Sequence, residues 1–231
     1  IKKEKNKMNF IIDIRSLLEP CWSGVSWHTY YLIDNLLKID KENQYFLFYN
    51  QFKINNKNSL FHCFIVLLLQ KIFYRRENHQ FNQVISKWRQ YDNVKIIDCH
   101  YPNKIFNLSM RFLKYPKIDQ LVKKAVIREF KKQAKNNSNE AMKQWNNKTI
   151  FFAPNLNFIA LSKTVKLILI IHDLSFKIFP EFFSRKMRWW HQLINPKKLC
   201  KLADKIITVS ESSKNDLIQL YGLNSNKIKA S

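Results

Sequence analysis

Acidic residues and glycine are scarce in this chain. Only 17 Asp and Glu stand against 40 Lys and Arg, and 231 residues contain 2 glycines. The resulting formal charge of +23 suits polyanionic partners such as nucleic acid, anionic lipid headgroups or nucleotide diphosphates. Composition offers a plainer account. Lys, Asn, Ile and Phe are abundant while Gly is rare, the slant of A/T-rich coding DNA, and the lysines are scattered instead of forming one block. No specific nucleic-acid partner is expected.

Close cysteine pairs are absent as well. Cys21, Cys63, Cys99 and Cys200 lie far apart without a C-x-x-C motif, which argues against a zinc site or a disulfide scaffold and for buried thiols in a reducing compartment. The histidines outside the motifs below show no metal spacing, and His62, inside an apolar run, reads as a core side chain. That run, Leu60 to Leu69, is about half the ~20 residues of a membrane-spanning helix and reads as a buried helix. The start "IKKEKNKMNF" is basic and polar, without a signal-peptide pattern. The expectation is a cytoplasmic protein without internal repeats.

What is present is a core and an alternation. A hydrophobic fraction of 46% can bury a substantial interior. Strand patterns at 9–14, 45–50, 93–97, around 149–153, 165–171 and 204–210 alternate with helical ones. Helical stretches cover about 23–40, 60–74, 81–91, 118–145 (interrupted by "KNNSNEA"), 183–203 and 211–222, the last with Gly222 as C-cap. This alternation predicts an α/β fold: a doubly wound, mostly parallel, Rossmann-like sheet with helices on both faces. A single domain is expected over 8–231, with 1–7 a disordered or non-native basic extension.

In such sheets ligands bind outside the carboxyl ends of the strands. The run "VKLILII" ends there in His172-Asp173, which could bind hydroxyls or move a proton, or could simply cap the next turn. Ser23-Gly24-Val25, before the first helix, either lets a phosphate approach the helix start or forms a plain turn with Ser23 as N-cap. Ser210-Glu211-Ser212 opens a helix at the same rim, as a cap or as a cleft contact. "FFSRKMRWWHQL", from Phe182, mixes cations with aromatics, fitting an anionic membrane surface, stacked bases or core packing with a solvated basic face.

"IIDIRSLL", "SGVSWHTYYLIDNLL", "FFAPNLNFIAL", "LILIIHDLSFKIFPEFF", "ADKIITVSESSKNDLIQLYG" and "NKIKA" occur in the order found in the N-terminal domain of glycosyltransferase family 4, retaining enzymes of the GT-B fold, which the chain resembles from Met8 onward. The section from about Gln51 to Lys148 matches poorly. The resemblance implies transfer of a sugar from a nucleotide-sugar donor to a glycan or lipid-linked acceptor, without metal or other cofactor. Ser23, Gly24 and Val25 are implied to face the donor's diphosphate, and His172 to lie beside the transferred sugar. Asp173, Ser210 and Glu211 are candidate substrate contacts, and peripheral contact with an anionic membrane is considered. Ser26 and Trp27 stand where the family commonly has Gly and Arg, so a Cβ at Ser26 is expected to narrow the approach to the phosphate. The family's donor grip lies in a second domain, so these residues are expected to be the acceptor-side half, with little activity alone. The rival reading is a non-catalytic basic module binding nucleic acid or an anionic membrane.

Overall fold

The computed structural model describes residues 7–52, 78–133 and 148–231. The expected helix at 60–74, the end of the 118–145 stretch, His62, Cys63 and residues 1–6 lie outside these.

The strands are β1 (Asn9–Asp13), β2 (Gln44–Asn50), β3 (Val94–Cys99), β4 (Thr149–Ala153), β5 (Lys166–Ile171), β6 (Lys205–Thr208) and β7 (Ile228–Ala230). They form one sheet in the order β3-β2-β1-β4-β5-β6-β7, every neighbouring pair parallel. The chain runs outward from β1 to β3 and then returns to lay β4 on the other side of β1. The direction of winding therefore reverses between β1 and β4, where the strand ends open a crevice.

Burial follows the period of the strands. In β2, Phe46 and Phe48 enter one core while Tyr45, Leu47 and Tyr49 enter the other; Ile11 and Ile12 of β1 divide in the same way. Helices α1 (Gly24–Ile39) and α2 (His79–Trp88) cover one face, with Ile33, Leu37, Phe81 and Trp88 packed inward. The other core takes side chains from α3 (Asn103–Phe112), α4 (Ile118–Gln133), the short α5 (Ser175–Ile178), α6 (Arg185–Ile194), α7 (Pro196–Leu202) and α8 (Glu211–Tyr221). Apolar side chains on both faces explain why the strands read as continuous hydrophobic runs.

The structure departs from the expected elements in three places. The stretch 183–203 is divided: Asn195, at φ 55°, ends α6 in the left-handed conformation, its Oδ1 accepts from Lys198 N at 3.1 Å to cap α7, and Pro196 follows at the first helical position. Helix α3 arises where the sequence suggested no element, and β7 extends the sheet beyond the expected strands. Gly222 closes α8 at φ 65°, as expected of a C-cap.

Candidate functional site

Asp13 and Arg15, two apart at the end of β1, point to the same side, and the guanidinium grips the carboxylate with both arms. Arg15 Nε donates to Asp13 Oδ1 at 2.9 Å and Nη2 to Oδ2 at 2.6 Å. Nη2 also donates to the Phe158 carbonyl at 2.8 Å, tying the end of β1 to the segment after β4 across the switch point. The Asp13 side chain is 0% exposed and that of Arg15 8%. Arg15 Nη1, also buried, has no hydrogen-bond partner among the described residues.

The chain then turns through Arg15–Leu18 toward α1. Ser23 occupies the N-cap position, yet its hydroxyl caps no amide of the helix and lies 3.4 Å from Ser26 Oγ. The first turn of α1 therefore lacks a side-chain acceptor, the state in which a helix start attracts anions. Gly24 is exposed, with no atom within 4 Å of where a Cβ would stand. The fold itself does not demand glycine there. Ser26 is fully buried and its Oγ donates to the Ser16 carbonyl at 3.0 Å. Its side chain is thus turned into the domain, which corrects the expected narrowing at the helix start. Trp27, where a cation was missed, stacks on Tyr31 with ring centroids 5.7 Å apart.

One turn into α1, His28 meets His172 edge to face, centroids 4.9 Å apart. Strand parity brings this about. Leu167, Leu169 and Ile171 of β5 point into the core on the α3–α8 side, so His172, one residue further, turns toward the face of α1. His172 Nε2 lies 3.0 Å from the Pro154 carbonyl. A carbonyl only accepts, so Nε2 carries the proton and Nδ1 of the neutral ring is left as an acceptor. The His172 carbonyl accepts from Ser213 Oγ at 2.9 Å, which fixes this backbone to the start of α8. Burial, and then the charge of His172, lower the pKa of His28 below its ordinary 6.5. Its buried Nδ1, and Oδ1 of Asn155 next to Pro154, have no partner among the described residues.

The rest of the rim is more ordinary. Asp173 is exposed and its Oδ1 accepts from Ser175 N at 2.9 Å and from Ser175 Oγ, a local side-chain turn ahead of α5, whose N-cap position is Leu174. Ser210 caps α8, its Oγ accepting from Ser213 N at 3.1 Å, and exposed Glu211 pairs with Lys214 at 3.1 Å. In the basic-aromatic segment Trp190 turns inward against Phe158, centroids 6.5 Å apart, while Phe182 and Trp189 face solvent.

Ser23, Gly24 and Val25 thus stand one helical turn before the residue that touches His172, and Ser210 joins the same region through Ser213. Sequence reasoning passed over His28, Asn155 and the Asp13–Arg15 pair. The i, i+2 spacing of opposite charges at a strand end could have revealed the last, and the i, i+4 spacing from Gly24 the first. A cleft of about 440 Å³ opens between α5, α6 and the end of α8, with Arg188, His191 and Tyr221 in its walls. Phe176, Lys177 and Pro180, which follow Asp173, also line this cleft, and Phe176 stacks on His191 with ring centroids 4.0 Å apart, so the cleft adjoins the rim on the side of Asp173. Among the described residues no three His, Cys, Asp or Glu side chains gather as metal ligands, and no helix is long and apolar enough to cross a membrane.

Residues 145–230 match the profile of Glycosyltransferase Family 4. The matched span runs from just before β4 into β7 and includes Pro154, Asn155, His172, Asp173, Ser210 and Glu211; it does not reach β1 or α1. No curated protein matches the chain. This part of the chain is similar to a glycosyltransferase family 4 module, a resemblance that implies a sugar donor and an acceptor in general terms.

Proposed function

We propose that this domain is the acceptor-side, Rossmann-like half of a GT-B glycosyltransferase. It moves a sugar from a nucleotide-sugar donor to an acceptor hydroxyl with retained anomeric configuration, in the cytoplasm, for a cell-envelope polysaccharide or glycolipid. One observation carries the reading: the family match covers the strands that bear His172, and His172 reaches across to His28 on the helix that begins at Gly24.

On this reading the uncapped start of α1, at Ser23, Gly24 and Val25, stabilises the diphosphate leaving group through its N–H groups and the positive end of the helix. His172 lies beside the transferred sugar. Its Nε2 is anchored on Pro154, which leaves Nδ1 to hold a sugar hydroxyl in a fixed direction. Asp173, Ser210 and Glu211 border the acceptor. A second lobe across the rim grips the nucleotide, and no metal is required. The non-catalytic basic module is the less favoured reading, because the matched family is one of sugar transferases.

The test is transfer from a panel of nucleotide sugars, using protein expressed from its native locus and envelope extracts as acceptor, with the product linkage read by NMR. A product of retained configuration is expected. An inverted product, or no transfer from any donor, overturns the proposal.

A further inference from the structure

Helix α3 wears apolar side chains on two sides. Phe106 and Met110 point into the core, whereas Ile105, Leu108 and Phe112, at i, i+3, i+7 spacing, form a second stripe that faces solvent. They are 62%, 54% and 62% exposed, and Leu113, just past the helix, is 74% exposed. Single exposed apolar residues are ordinary, but a contiguous stripe on one helix marks an interaction surface.

Cations crowd its edge. Arg111 of α3, Lys114 just beyond it and Lys198 of α7 line one shallow groove that also includes exposed Leu202. Among the described residues none of the three cations forms an ion pair with a carboxylate and the buried Nε of Arg111 has no hydrogen-bond partner, its guanidinium lying 5.5 Å from the Phe112 ring centroid. Burial, with the facing charges of Lys198 and Arg111, lowers the pKa of Lys114. Like charges drawn together from two separate helices, without a carboxylate between them, call for an anionic partner.

We infer that the outer face of α3, with the Arg111–Lys114–Lys198 groove, docks the domain on an anionic phospholipid bilayer. Ile105, Leu108, Phe112 and Leu113 enter the acyl boundary, and the cations meet lipid phosphates. A second copy of this chain would press like cations against one another. Nucleic acid fits poorly too, because three of the four exposed side chains are aliphatic and offer bases no ring to stack on. The inference stands apart from the transferase reading. It also puts the membrane contact on a different helix from the basic-aromatic segment at 182–190.

The experiment is co-sedimentation of the full chain with vesicles of phosphatidylglycerol mixed with phosphatidylcholine, against phosphatidylcholine alone. Binding to the anionic vesicles only is expected. Leu108→Gln with Phe112→Gln abolishes it, and Arg111→Gln, Lys114→Gln and Lys198→Gln each weaken it roughly fivefold. The charge variants lie on the surface and keep the test independent of any effect of the double variant on folding. Equal binding to neutral vesicles, or binding unchanged by these variants, overturns the inference. So does a dimer in light scattering that the Leu108/Phe112 variant dissolves.

Discussion

His28 and His172 meet edge to face with ring centroids 4.9 Å apart, joining the first helix to the end of the fifth strand. This contact couples His28 to pH. Burial and the neighbouring His172 lower the pKa of His28, so the folded chain binds fewer protons at this site than the unfolded one. The stability it contributes is complete above pH 6.5, its unperturbed value, and is lost as pH falls through the folded value. His28→Phe keeps the ring contact and removes the titration. Urea unfolding across this window should show a shallower acid decline in the variant; an identical decline would contradict the assignment. His191, lowered by burial against the opposing pull of Asp173, adds a decline that remains in both proteins.

Arg15→Ala should cost about 3–5 kcal/mol, because it strands the fully buried Asp13 carboxylate without its cation. Replacing both, Asp13→Asn with Arg15→Leu, should cost less than the single change. Denaturant midpoints measure both, and a loss below about 1 kcal/mol for Arg15→Ala would show that the pair is not what fastens β1 to Phe158.

The two glycines should behave oppositely. Gly222 sits at φ 65°, so Gly222→Ala should lower stability by about 1–2 kcal/mol although no atom obstructs a Cβ. Gly24 has open space and no left-handed φ, so Gly24→Ala should leave the melting temperature unchanged or slightly raised. On the proposed function the added methyl instead weakens donor use, read as a higher KM. A destabilised Gly24→Ala protein would assign that glycine to the fold.

Asp34 is a buried hub: Lys38 at 2.8 Å, Lys87 at 2.7 Å and the Trp88 indole N–H at 3.1 Å converge on it. Burial alone would raise its pKa, but the hydrogen bonds from Lys38, Lys87 and Trp88 outweigh that and hold it at about 2. Its contribution to stability is therefore present above pH 3.8 and lost as pH falls toward 2. Asp34→Ala, which leaves the Trp88 N–H unpaired, should cost about 1–3 kcal/mol at neutral pH and flatten the acid limb. Thermal melts at neutral and acid pH decide it.

The parallel sheet was legible because its central strands are largely buried, so runs such as "FIID" and "LILII" carry no competing period, whereas short β7, with Lys229 exposed, offers no such run. Helix α3 was hidden for the converse reason: apolar residues on two faces blur the 3.6-residue rhythm. The break at Asn195 was missed because Pro at a first helical position looks, in sequence, like an interruption of one helix. For the site, the strand-end rule pointed to His172, but its neighbour His28 depends on how α1 crosses the sheet, which no local pattern encodes. Ser26 showed the same limit, since whether its hydroxyl faces the ligand rim or Ser16 is decided by helix rotation.

The most direct test of the central claim, that the rim at His172 is where sugar transfer is governed, is the transfer rate of His172→Ala measured beside its melting temperature. The account predicts a fall of roughly 10²–10⁴ with the fold intact. Undiminished transfer by a folded His172→Ala protein would contradict it.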